Sequence, residues 1–116
     1  MVSRRLAARA AALIAVSLLF FIRGEAFKPA WAHSVTTITI DHFAYQPATV
    51  TVDLGNIVEW RNVDIVPHTA TSTDGKTFNS GAIANGASWR FTANRKGTFD
   101  YFCTLHPNMK ARLIVQ

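Results

Sequence analysis

Cys103-Thr104-Leu105-His106-Pro107-Asn108-Met109 puts a thiol, an imidazole and a thioether on one short stretch, spaced Cys-x2-His-x2-Met. Before it, Phe99, Tyr101 and Cys103 occupy alternate positions, so the thiol falls on the apolar face of a strand. After it, Lys110 to Val115 alternates again and reads as a closing strand. Pro107 restricts the backbone in between. The stretch therefore reads as a tight return loop at the end of a sheet.

Outward from that loop the period stays at two. Val35 to Ile40 predicts a strand with Ile38 and Ile40 inward, and Thr49 to Leu54 a second in which Val50, Val52 and Leu54 alternate with Thr49, Thr51 and Asp53. Val58 and Trp60 define a third, and Asn62 to Pro67 a loop, because Pro67 cannot donate to a central ladder. His68 is expected to open a short strand to about Thr71, followed by a turn at Thr73-Asp74-Gly75-Lys76 and a polar, glycine-punctuated connection over 77–86. Trp89 and Phe91 mark another strand, and Asn94-Arg95-Lys96-Gly97 turns the chain into the last pair. Phe43 to Pro47 reads as a turn. About seven short strands with turns between them define an all-β fold, a β-sandwich.

The chain has 116 residues, enough for one small domain. Arg4, Arg5 and Arg9 precede a 13-residue apolar run, Ala10 to Ile22, too short for the ~20 residues of a bilayer span. Residues 1–32 therefore read as a secretory signal, cut after Ala30-Trp31-Ala32, with an uncleaved membrane anchor as the alternative. The folded domain is residues 33–116, placed in the periplasm. Of the formal net charge of +5, the leader holds +4, so the domain is almost neutral and gives no support for nucleic-acid binding.

Cys103 is the only cysteine, so no intrachain disulfide forms. A lone cysteine is often a small buried hydrophobe; beside His106 and Met109 a metal thiolate is the sharper reading. Soft sulfur with imidazole suits copper, and a His2Cys set with a weak axial Met is an electron-transfer geometry. The second histidine is His68, in Val66-Pro67-His68-Thr69, 35 residues upstream of Cys103. Asn62 and Asp64, in the preceding loop, are candidates for holding the two ligand-bearing loops together, and the Thr69 N–H for donating to the Cys103 sulfur.

Other chemistries fit less well. A thiol hydrolase needs an oriented base and an oxyanion hole. Structural zinc takes closed Cys and His pairs without Met. A dinuclear copper centre wants a second cysteine, and multicopper oxidases want His-x-His pairs. His33 would become an amino-terminal histidine after cleavage, but the second ring ligand and substrate platform of a polysaccharide monooxygenase are missing. His42 reads as surface, and Trp60 and Trp89 as core.

Tyr101 to Met109, with Gly97-Thr98-Phe99-Asp100 before it, resembles the small cupredoxins, the type 1 blue copper proteins of amicyanin and plastocyanin type. Asp53 to Asn62, followed by Pro67-His68-Thr69, is similar to the upstream half of the same family, so the resemblance covers nearly all of 35–116. Thr69 departs from it, standing where amicyanins have Asn. The resemblance implies a Greek-key β-sandwich, one copper ion cycling between Cu(I) and Cu(II), and one-electron transport by a monomer. It assigns His68, Cys103 and His106 as equatorial ligands and Met109 as the weak axial one. It also implies transient docking with a dehydrogenase donor and a c-type cytochrome acceptor. The competing function is a copper-binding storage or delivery module.

Overall fold

A computed structural model of the chain describes residues 24, 29 and 32–116. The expected leader, apart from positions 24, 29 and 32, lies outside the described residues. The elements in order are β1 (Val35–Asp41), β2 (Ala44–Gln46), β3 (Thr49–Val52), β4 (Ile57–Asn62), β5 (Thr71–Ser72), β6 (Ser88–Thr92), β7 (Gly97–Phe102) and β8 (Lys110–Val115). They form two four-stranded sheets, β2-β1-β4-β6 and β3-β8-β7-β5. The pairs β1–β4 and β3–β8 are parallel and the others antiparallel. Every connection from β2 to β7 changes sheet, so the fold is an all-β sandwich held by pairs distant in sequence.

Alternation sets the core. Ile38 and Ile40 of β1, Val58 and Trp60 of β4 and Leu113 of β8 have no solvent exposure. Trp60 in one sheet meets Tyr101 of the other edge-on at 5.5 Å between ring centroids, and packs at a tilt against Phe78 at 5.3 Å. Ring contacts of this kind add to burial and lock the two layers together.

Three expectations differ from the structure. The turn expected at 43–47 contains β2, which makes eight strands rather than seven. A two-residue loop, His42-Phe43, folds the chain back so that Asp41 pairs with Ala44. Both loop residues have positive φ, 50° and 56°, which a primed hairpin turn requires and which neither side chain advertises. The strand expected from His68 is not continuous. His68 makes an isolated antiparallel bridge with Ile83, and β5 starts only at Thr71. The second strand, expected to run to Leu54, ends at Val52, and Leu54 is half exposed.

Candidate metal centre

His68 is fixed by the loop that leaves β4. Asn62, fully buried, donates through Nδ2 to the carbonyls of Val66 and Ile83, both at 2.9 Å, and its Oδ1 accepts from the Asp64 N–H at 2.9 Å. The His68 backbone is pinned in turn by two hydrogen bonds with Ile83. Asp64 Oδ2 lies 2.8 Å from His68 Nε2. An ionised carboxylate only accepts, so the ring proton sits on Nε2 and Nδ1 presents its lone pair. The Phe43 N–H above all holds the Asp64 carboxyl below the usual carboxylate range; burial opposes it, and the His42 N–H and the His68 ring add smaller lowering effects.

The downstream candidates, Cys103, His106 and Met109, sit on the β7–β8 hairpin loop, and their spacing is the spacing of its turns. The His106 N–H donates to the Cys103 carbonyl at 3.3 Å, and the Met109 N–H to the His106 carbonyl at 2.9 Å. Each x2 interval thus closes one turn. The Cys103 N–H donates to the Met109 carbonyl at 3.1 Å, drawing the two ends of the loop together.

The two segments bring three donor atoms together. Cys103 Sγ is 3.8 Å from His68 Nδ1 and 3.7 Å from His106 Nδ1, and the two Nδ1 atoms are 3.1 Å apart. Among the described residues this is the one group of three or more His, Cys, Asp or Glu side chains close enough to share an ion. Cys103 and His68 have no exposure, whereas His106 is partly exposed. The Thr69 N–H donates to Sγ at 3.3 Å, as the sequence suggested. Met109 is buried at the end of the loop, with 5% of its surface exposed.

The link between the two loops is Thr69 rather than Asn62 and Asp64. Its Oγ1 accepts from the Thr104 N–H at 2.9 Å and lies 3.2 Å from Thr104 Oγ1. Asn62 and Asp64 organise the upstream loop alone and tie it to the β1–β2 turn and to Ile83. Two further contacts were not foreseen. Tyr45 donates to the Thr69 carbonyl, and the Phe43 ring stands edge-on to both His68 and His106. Around the partly exposed His106, Phe43, Leu105, Pro107, Asn108 and Met109 line an open concavity of about 480 Å³.

A thiol and two imidazoles converging at one end of a two-sheet sandwich define a protein with a mononuclear soft-metal site. The chain belongs to the cupredoxin-like domain family, matching it over residues 11–115. It is similar to amicyanin-alpha of Methylorubrum extorquens, 31% identical over 114 residues and covering 95% of each chain. It is also similar to amicyanin of Paracoccus versutus, 30% identical over 83 residues. That match covers 68% of this chain but only 63% of the relative. Among solved structures, a purple cupredoxin from Nitrosopumilus maritimus superposes with a TM-score of 0.64 at 26% identity, over 69% of this chain and 98% of the other. The Cu(I) form of an amicyanin variant gives a TM-score of 0.67 at 23% identity, over 73% and 85%, a likeness of fold.

Proposed function

We infer that the chain is a type 1 blue copper protein that carries single electrons between redox partners. The observation that carries this reading is the convergence of Cys103 Sγ and the Nδ1 atoms of His68 and His106 within 4.8 Å. A thiolate with two neutral imidazoles is the donor set that suits copper. His68, Cys103 and His106 would hold the ion, with Met109 as the weak fourth donor. Copper, when bound, supplies the Cu(I)/Cu(II) couple.

The chain's own groups do the rest. Asp64 keeps the proton on the outer nitrogen of His68, so the inner one is free to ligate. The Thr69 N–H partly neutralises the charge on the sulfur. Burial of Cys103 and His68 excludes water. The hydrogen bonds around both loops fix the donors in advance, so little needs to move when the charge changes.

His106 opens the site to partners. Leu105 is half exposed, and with Pro107 and Phe43 it surrounds the ring with an uncharged surface suited to brief encounters. A dehydrogenase donor and a c-type cytochrome acceptor are the partner classes, and the carrier itself is not an enzyme. The basic and apolar leader supports a periplasmic location. No helix among the described residues is long and apolar enough to cross a membrane.

The test is to load the purified chain with Cu(II). An intense blue colour that bleaches with reductant and returns on oxidation supports the carrier. A pale protein that surrenders its metal readily to a chelator is a delivery module instead.

A further inference from the structure

The turn between β1 and β2 runs against the preferences of its own residues. His42 and Phe43 both sit at positive φ, 50° and 56°, where a Cβ crowds the following carbonyl and where Asn-Gly is the usual choice. What holds them is Asp64. Its Oδ1 accepts from the His42 N–H at 2.8 Å and its Oδ2 from the Phe43 N–H at 3.0 Å, and Oδ2 is also the partner of His68 Nε2. One carboxylate therefore fixes the disfavoured turn and a histidine of the metal centre.

The visible result is the position of the Phe43 ring. It stands perpendicular to His68 at 5.3 Å and to His106 at 4.9 Å between centroids. Phe43 remains 52% exposed, so burial alone is a weak reason for a bulky side chain at such a φ. His68 has other restraints, being fully buried, bridged to Ile83 and bonded to Asp64. The His106 ring has fewer. Among the described residues its hydrogen-bond contacts all run through Nδ1, toward the other two donors. Nothing of that kind holds its outer edge.

We propose that Phe43 is a positioning residue. Asp64 locks the His42-Phe43 turn so that the phenyl ring braces the imidazoles, His106 above all, and keeps the His106 Nδ1 aimed at Cys103 Sγ. Disfavoured backbone is retained where the placement it enforces is useful. The inference rests on reading the cluster as the copper centre.

The experiment is imidazole NMR on the full chain, metal-free and again with Cu(I). Phe43→Asn keeps a residue that tolerates positive φ and removes the ring; Phe43→Gly removes both the ring and the steric conflict. The parent should give one set of His106 ring signals, with through-space contacts to Phe43. In both variants those signals should broaden or split while the His68 signals stay single. Release of Cu(I) to a chelator should be about ten-fold faster, and the melting temperature of Phe43→Gly should be no lower than the parent's. A His106 ring that stays single in both folded variants overturns the proposal. So does a large drop in melting temperature in both, which would make the phenyl group part of the packed core. Because the deciding signals come from metal-free protein, failure to bind copper and failure of the brace appear as separate results.

Discussion

Asp64 Oδ2 lies 2.8 Å from the Nε2 of His68, so a partly exposed acid dictates the tautomer of a ring that solvent never reaches. Replacing Asp64 with Ala leaves that N–H and two turn amides without their acceptor. Copper affinity, measured by competition with a chelator, should fall roughly 10–100-fold, as it does when partners of metal-bound histidines are removed. An affinity equal to the parent's would show that the carboxylate does not orient the ring.

Thr69 gives a cleaner separation of stability from colour. Thr69→Ala keeps the backbone N–H that faces the sulfur but removes the acceptor of the Thr104 N–H. Thermal or denaturant unfolding should show a loss of about 1 kcal/mol, the net worth of one hydrogen bond at a part-buried site. The blue absorption should survive, and Thr69→Ser should restore most of the lost stability.

Cys103 and Met109 should part company in their effects. Cys103→Ser removes the soft donor, and the blue colour should disappear even where metal is still taken up. Met109→Ala should keep copper and colour while moving the reduction potential, which voltammetry reads directly. An unchanged potential would remove Met109 from the ligand set.

Acid should destabilise the fold through specific carboxylates. The Thr77 hydroxyl foremost, with the N–H groups of Thr77 and Lys76 and the Ser72 hydroxyl, holds the Asp74 carboxyl well below its usual range, and the Arg112 guanidinium lowers that of Asp100. Asp64 is lowered as well. Each folded value lies below the unfolded one of about 3.9. Between the two values the unfolded chain binds more protons, so stability rises with pH across that window and is full above it. Melting temperature should therefore hold steady down to about pH 5 and fall as acid titrates these groups below about pH 4. Asp74→Asn should flatten part of that fall; an unchanged acid limb would exclude Asp74 as a contributor.

The sequence made the sandwich legible wherever one face of a strand is buried. Ile38, Ile40, Val58, Trp60, Tyr101 and Cys103 all point inward as their alternation requires. The downstream loop was legible too, because two consecutive turns, 103–106 and 106–109, set the spacing of Cys103, His106 and Met109. What stayed hidden depends on tertiary acceptors. The His42-Phe43 turn forms against local preference only because Asp64 arrives from 21 residues away, and no composition signal marks it. His68 pairs with Ile83 across a connection that reads as plain loop, so its strand could not be delimited. Phe78 and Ile83, within that connection, are core residues without the alternating pattern that would announce them.

β8 follows the hairpin loop directly and lies between β3 and β7, with Val50 beside Leu113. A nascent chain that stops short of β8 can neither close that sheet nor draw Met109 back onto Cys103. Closure of the candidate site thus depends on β8. Its pairing with β7 is local, but its pairing with β3 joins the strands most distant in sequence among the described pairs and is slow to form. Metal offered to a half-made chain would meet a thiol and loose imidazoles, and the ordered grip on the ion would come only with the last closure.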